Sequence, residues 1–216
     1  MRRGGCAPCR IEHDPDSEQL SAHLFSELEF RLRHEHGVDT ICRQIQASAV
    51  TQTSPSIRIV AATESDTPLI LSFIQRLAEY ERMGEMCVAT EEGVRASLFG
   101  DDPAAEVIIA YLDGEPVGFA LFFHNYSTFL AQRGLYLEDL FVIPEARGHR
   151  VGYALLSALA NIAVSRRCGR LEWAVLKWNQ LAIDFYQRLG AMPLESWETY
   201  RLTGDALEHL ARNTSS

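Results

Sequence analysis

Lysine, long apolar runs and paired cysteines are scarce in this chain of 216 residues. Nineteen of its twenty basic residues are arginine, which indicates a compositional bias, and the formal net charge of −9 argues against nucleic acid as the main partner. No apolar run reaches the roughly 18 residues that a membrane helix needs, so no membrane segment is predicted. Arg2 and Arg3 are not followed by an apolar stretch, which argues against a secretory signal. Five scattered cysteines are typical of reduced thiols and favour a cytoplasmic protein.

Residues 1–56 differ in character from the rest and are predicted to be an N-terminal extension. Cys6 and Cys9 form a lone C-x-x-C pair, which lacks the second pair of a zinc site, so no metal is expected. Leucines at every fourth position predict an amphipathic helix over residues 17–36, and residues 47–56 have the composition of a linker. The extension packs on the main domain or on a second subunit, or it is partly disordered, or it reflects a misassigned start codon. The main domain is expected to span residues 57–212.

Short apolar runs alternate with helical patterns after residue 57. Strands are predicted at residues 57–61, 106–112, 117–125, 134–143, 171–176 and 197–202. Helices are predicted from residue 65 or 66 to about 77, and at 91–99, 146–166, 180–189 and 203–210. An Asp-Gly turn at Asp113 joins the second and third strands. The pattern predicts an α/β (α+β) domain with a mixed, mostly antiparallel sheet flanked by helices.

Residues 135–156 combine an apolar strand, an Arg-Gly-rich loop and an apolar helix. Free backbone N–H groups at the start of a helix, together with the helix dipole, bind phosphate groups. The loop is neither a P-loop nor a dinucleotide-binding fingerprint. Two adjacent carboxylates, Glu138 and Asp139, lie on the strand, and strict alternation predicts that they point to opposite faces.

The loop resembles the pyrophosphate loop of the GNAT acetyltransferase superfamily, Arg/Gln-x-x-Gly-x-Gly/Ala. Arg147 and Gly152 match it, whereas Arg150 replaces the central glycine. Residues 178–191 are similar to the family segment Trp-Asn-x3-Ala-x2-Phe-Tyr-x3-Gly-Ala. Residues 77–81 and 135–139 resemble the spermidine/spermine (diamine) and thialysine acetyltransferase branch. The resemblance covers about residues 57–210.

The resemblance implies a GNAT-like fold, a homodimer, and acetyl transfer from acetyl-CoA to a small-molecule amine without a metal. It implies that Glu138 is the substrate-binding carboxylate and base, and that Tyr186 is the general acid. The implied cofactor contacts are Leu140, Phe141, Val142, Arg147, Gly148, His149, Arg150, Val151, Gly152, Tyr153, Asn179, Gln180, Leu181, Ala182 and Tyr186. The implied substrate contacts are Tyr80, Glu81, Glu138, Asp139, Glu172, Trp173, Ala174 and Glu195.

Amine acetylation needs these residue types because an alkyl amine has a pKa of about 10, so roughly one molecule in a thousand is neutral at pH 7. A carboxylate can accept the ammonium proton, and a phenol can protonate the departing thiolate. Two other functions fit the same residues: acetylation of a protein or peptide amine, and a catalytically weak coenzyme A-binding module. Arg150 motivates the latter, although a helical backbone is expected there and would tolerate arginine.

Overall fold

The computed structural model describes residues 55–212, which form one five-stranded sheet with helices on both faces. The strands are β1 (Ile57–Ala61), β2 (Glu106–Leu112), β3 (Glu115–Ser127), β4 (Gln132–Val142) and β5 (Leu171–Trp173). They lie in the order β1-β2-β3-β4-β5; β1 to β4 are antiparallel, and β5 is parallel to β4. The predicted mixed, mostly antiparallel sheet is confirmed.

Five α-helices connect and flank the strands. They are α1 (Thr67–Tyr80), α2 (Glu91–Phe99), α3 (Val151–Ser165), α4 (Gln180–Arg188) and α5 (Gly204–Arg212). α2 begins at residue 91 as predicted, and Thr90 caps it: its hydroxyl accepts a hydrogen bond from the Gly93 N–H at 3.1 Å. No helix within residues 55–212 is long and apolar enough to cross a membrane.

The sheet separates two apolar cores. The core on the α3 face contains Leu137 and Leu155, and the core on the α1 and α2 face contains Phe73, Phe119 and Phe141. Both cores use strands of the same sheet, so the described part of the chain has helix–sheet–helix layers. β4 contributes Leu135 and Leu137 to the first core and Phe141 to the second, so both faces of this strand are packed, and it also carries the candidate base.

Three predicted elements differ from the structure. The helix predicted at 146–166 begins only at Val151, because a short 3-10 turn and two left-handed residues precede it. The strand predicted at 171–176 ends at Trp173, where its pairing with β4 stops. Residues 197–202 form no strand, because they have no paired neighbour in the described part of the chain. The predicted helix and linker before residue 55 lie outside the described residues.

A bulge at Glu138 shifts the alternation of β4. Leu137 and Asp139 pair with neighbouring residues of β3, and Glu138 has no partner there. Before the bulge the odd-numbered residues of β4 face α3, and after it the even-numbered Leu140 and Val142 do. The prediction that Glu138 and Asp139 point to opposite faces is therefore wrong: both lie on the α1 side of the sheet.

Candidate functional site

The site begins where β4 and β5 separate. The two strands pair only from Leu135 to Leu137 on β4 and from Leu171 to Trp173 on β5. β4 continues to Val142 without this neighbour, so the end of β4 borders an open wedge. Polar backbone groups along such a strand can pair with an extended ligand.

The hydrogen-bond alternation of β4 decides which backbone groups face the wedge. Ile143 N donates to Val117 O at 2.9 Å, and two residues earlier Phe141 is opposite Phe119 of β3 in the same antiparallel register. The backbone of Phe141 therefore points to β3, and its oxygen lies 2.5 Å from where a Cβ on Gly118 would be. Of the three cofactor contacts predicted on β4, Leu140 and Val142 have backbone groups that face the wedge.

The loop after β4 presents its backbone with two left-handed residues, Gly148 at φ 82° and Arg150 at φ 65°. The helical backbone expected at Arg150 is wrong, because this residue caps α3 from outside the helix. The left-handed region favours glycine, so arginine here carries strain of about 1–2 kcal/mol.

Three free N–H groups follow the loop at the start of α3. The first helical bond runs from Ala154 N to Arg150 O, which leaves the N–H groups of Val151, Gly152 and Tyr153 without helical acceptors. His149 and Arg150 are exposed beside them. These donors and the adjacent positive charge fit a pyrophosphate group.

The other side of the wedge is the start of α4. The Asn179 side chain caps this helix by accepting from Ala182 N at 3.3 Å. Tyr80 at the end of α1 donates its hydroxyl to the same Asn179 oxygen at 3.3 Å. Arg147 lies over the Tyr80 ring at 4.7 Å and donates its Nε–H to Val142 O at 3.2 Å. Tyr80 thus contacts both sides of the wedge.

Among the predicted cofactor contacts after Asn179, Gln180 and Leu181 are exposed on the first turn of α4. Gln180 hydrogen bonds to Asp184 at 2.6 Å. The helix also approaches the phosphate loop, because a Cβ on Gly152 would lie 3.8 Å from the Phe185 ring. This spacing is ordinary van der Waals contact, which agrees with the glycine or alanine of the loop pattern.

Tyr186, on α4, packs among aromatic rings at the wedge. Its ring centre lies 5.0 Å from that of Trp173 and 5.5 Å from that of Phe185. Burial, then the charge of Glu81 and the neighbouring Tyr80, raises the pKa of Tyr186 to about 12. The phenol therefore keeps its proton at neutral pH, as a general acid must.

Three carboxyl groups gather on the α1 side of β4. Asp139 is the most buried, and burial followed by the charges of Glu138 and Glu81 raises its pKa to about 6. Burial also raises the pKa of Glu81, which lies just after α1. The predicted residues Glu81, Glu138 and Asp139 are thus brought together, and Glu81 links them electrostatically to Tyr186.

The predicted substrate residues Glu172, Trp173 and Ala174 lie on β5 or just after it, and each has different contacts. Glu172 is opposite Tyr136 of β4 and accepts a hydrogen bond from Asn125 Nδ2 at 2.9 Å. Arg170 Nε lies 2.7 Å from the same Glu172 oxygen. Trp173 contacts Tyr186, and Ala174 is exposed just after the strand.

Glu195 is exposed in the segment between α4 and α5, which has no regular structure.

Sequence reasoning missed Arg170, Asn125 and Tyr136. Tyr136 had a usable signal, since it lies two residues before Glu138 and so shares its face. Burial and the charges of Glu138 and Glu172 raise the pKa of Tyr136.

The arrangement can hold an amine between carboxylates and a phenol, next to a surface suited to an extended phosphorylated ligand. Among residues 55–212 no three His, Cys, Asp or Glu side chains are placed to hold a metal ion.

Comparison with known proteins gives the family. The profile described as acetyltransferase (GNAT) family matches residues 74–191. The chain belongs to the GNAT acetyltransferase family. It is 38% identical over 167 residues to the thialysine N-epsilon-acetyltransferase of Sus scrofa, covering 72% of this chain and 98% of that protein. It is 33% identical to the L-ornithine N5-acetyltransferase NATA1 of Arabidopsis thaliana, covering 76% of this chain and 93% of that protein.

A solved structure supports the same fold. The integron cassette protein VCH_CASS6 of V. cholerae aligns with a TM-score of 0.63 and 28% identity, over 73% of this chain and 99% of that chain. This GNAT acetyltransferase therefore has the predicted fold. The names of two of its relatives include thialysine and ornithine as acetyl acceptors. The predicted family and enzyme class are confirmed.

Proposed function

We propose that this enzyme transfers the acetyl group of acetyl-CoA directly to a primary amine of a small molecule: a polyamine, a diamine or a thialysine-like amino acid. The observation that carries the proposal is the wedge, with Tyr186 on one side and the carboxyl cluster of Glu81, Glu138 and Asp139 on the other. Cationic amines are attracted to clustered carboxylates. The names of the relatives, thialysine and ornithine acetyltransferases, support the same class of acceptor.

Each residue of the wedge has one task in this proposal. Glu138 binds the ammonium and accepts its proton, which leaves a neutral amine to attack the thioester carbon. A C–N bond forms and the C–S bond breaks. Tyr186 donates its phenolic proton to the departing thiolate, and the second proton that the attacking nitrogen loses on becoming an amide restores the phenol.

Backbone and loop groups hold the co-substrate. The backbone groups of Leu140 and Val142 face the wedge and suit an extended amide-containing arm. The N–H groups of Val151, Gly152 and Tyr153 suit the pyrophosphate. Positioning of the two reactants contributes roughly 7–11 kcal/mol to lowering the barrier in well-oriented systems.

A panel of amines tests the proposal. Release of coenzyme A thiol is measured with spermidine, putrescine, ornithine, thialysine and an N-terminal peptide amine. Turnover of at least one small amine, at a kcat/KM well above that of the peptide, is the expected result. Peptide turnover alone would favour acetylation of a protein or peptide amine.

The second candidate, a weak coenzyme A-binding module, is favoured by one observation, the strained left-handed Arg150 in the phosphate loop. Binding of coenzyme A without turnover of any amine would support it.

We propose that the protein is a cytoplasmic homodimer in which residues 1–56 are an appendage to the catalytic domain. Size-exclusion chromatography with light scattering tests the dimer.

A further inference from the structure

The end of the amine site farthest from the open wedge holds a paired cation and anion instead of a free carboxylate. Arg170 Nε lies 2.7 Å from Glu172 Oε2, and Asn125 fixes the same carboxylate at 2.9 Å. The Arg170 and Glu172 side chains are 36% and 25% exposed. The Arg170 Nε–H has no hydrogen-bond acceptor among residues 55–212, so the contact with Glu172 is an ion pair without a well-directed hydrogen bond.

The pair lies on the same face of the sheet as the carboxyl cluster. Glu172 is opposite Tyr136, and the charges of both Glu172 and Glu138 raise the pKa of Tyr136. Tyr136 and Glu138 are two residues apart on β4, which corresponds to about 6.6 Å along a strand. The Arg170–Glu172 pair is therefore about one extended side-chain length from Glu138.

The Arg170–Glu172 pair determines which substrates fit the end of the amine site farthest from the wedge. A diamine held at Glu138 would place its second ammonium beside Glu172, whose charge Arg170 already balances. An amino acid held there by its side-chain amine would place a carboxylate and an ammonium beside Arg170 and Glu172. Each charge of the amino acid then has an opposite charge on the protein, in a partly buried setting that screens charges less than water does.

We propose that Arg170 makes this site selective for amino acids that carry a side-chain amine, over diamines of the same length, by attracting the substrate carboxylate. This inference rests on the proposed acetylation of small amines and adds the class of substrate. Arg170 is a specificity-determining residue, and the transfer itself still depends on Glu138 and Tyr186.

Two substrate pairs isolate the carboxylate: ornithine with putrescine, and lysine with cadaverine. Within each pair the molecules differ only in that group. We expect the wild-type enzyme to use the amino acid with a kcat/KM at least tenfold higher. Arg170→Met removes the charge at similar length and should cut this preference at least fivefold, mainly through a higher KM for the amino acid. Arg170→Lys keeps the charge and should keep most of the preference.

Arg133→Met is the matched control, because it removes the same charge from an exposed residue at the start of β4 that is not among the proposed site residues. It should leave the amino acid-to-diamine ratio unchanged. A merely structural role for Arg170 would lower turnover of both members of a pair alike, and that result would overturn the inference. A wild-type preference for putrescine over ornithine would also overturn it.

Ligand-induced shifts in Tm separate this inference from the proposed reaction. If no amine is acetylated, the proposed function fails. The inference still stands if ornithine raises the Tm of the wild type more than putrescine does and Arg170→Met removes the difference. Equal shifts for both ligands reject the inference even where acetylation occurs.

Discussion

Burial sets the proton affinities of the side chains around Tyr186. The phenol has a pKa of about 12 and Asp139 a pKa of about 6, and desolvation is the largest cause of both shifts. Glu138 lies next to Asp139 on the bulge and is exposed. A protonated donor and an accessible carboxylate thus occur within one wedge, and each can be tested by a single substitution.

Tyr186→Phe removes one hydroxyl and keeps the ring contacts with Trp173 and Phe185, so the fold should survive. Loss of a general acid typically lowers turnover roughly 100-fold or more. We expect kcat to fall by that amount while the Kd for coenzyme A changes little, as measured by stopped-time thiol release and calorimetry. Tyr111→Phe on β2 is the control; a kcat equal to that of the wild type in Tyr186→Phe would remove Tyr186 from the mechanism.

Glu138→Gln keeps the shape of the side chain and removes its charge and basicity. If Glu138 accepts the amine proton, kcat/KM should fall most near pH 7 and partly recover above about pH 9, where more free amine is present. Rates from pH 6 to 10 give the profile, with Glu115→Gln at the start of β3 as the control. A loss of equal size at every pH would assign Glu138 to positioning alone.

Asp139→Asn should change how stability depends on pH. The folded-state pKa of Asp139 is raised to about 6, above the ordinary value of about 3.9, so the folded protein favours the protonated form. This group's contribution to stability is present below about pH 4 and is lost as the pH rises through about 6, a difference on the order of 2 kcal/mol.

Urea unfolding at pH 4.5 and pH 8 measures that difference. The asparagine variant should gain stability relative to the wild type at pH 8 and much less at pH 4.5. Asp102→Asn, at an exposed loop position, should show no such change between the two pH values. A gain of the same size at both pH values would mean that packing, and not ionisation, explains the effect.

At the scale of elements, the strand–loop–helix unit of β4 and α3 supplies most of the co-substrate surface. Its bulge at Glu138 turns both acidic residues toward α1, and its loop turns the backbone through Gly148 and Arg150 before α3 begins. Arginine already has the left-handed conformation that glycine would adopt. The loop geometry is therefore intact, and its cost is strain at Arg150.

Arg150→Gly should relieve this strain. We expect the free energy of unfolding to rise by up to about 1 kcal/mol, offset in part by the larger entropy of glycine in the unfolded chain. The Kd for coenzyme A should stay within about threefold of the wild-type value, weakened only by the lost charge. Urea unfolding and calorimetry measure the two quantities.

Arg167→Gly is a close control for that variant, because Arg167 is also left-handed, at φ 56°, and lies at the far end of α3. It makes the same charge change away from the loop and should leave the Kd unchanged. A gain of tenfold or more in coenzyme A affinity in Arg150→Gly, about 1.4 kcal/mol, would contradict an intact site and support the weak binding module.

At the scale of the whole molecule, the proposed site and both apolar cores, as the described residues form them, use residues after 56. The family profile matches residues 74–191 within this part, and 72% of this chain covers 98% of the pig thialysine enzyme. A chain that starts at Ser54 should therefore fold and retain kcat and KM within about twofold of the full-length values, because residues 55–212 by themselves form a sheet with an apolar core on each face. Steady-state kinetics and thermal unfolding of the two forms check this. Loss of turnover with unchanged folding would mean that the extension contributes to the site.

Local patterns in the sequence determined the elements that depend on near neighbours. Turn chemistry explains the turn at Asp113, capping explains the start of α2, and helical periodicity explains α1. The motifs also determined the family, because the loop at Arg147 and the segment after Trp178 occur in the right order. These features need no knowledge of what packs against them.

Tertiary structure decided everything that depends on a distant partner. The bulge that places Glu138 and Asp139 on one face arises from the pairing of β4 with β3. The left-handed backbone at Arg150 belongs to the loop that connects β4 to α3. The ion pair of Arg170 with Glu172 forms beside Asn125 of another strand. A one-residue shift in pairing changes the face of each later side chain, and local sequence does not encode which neighbour imposes that shift.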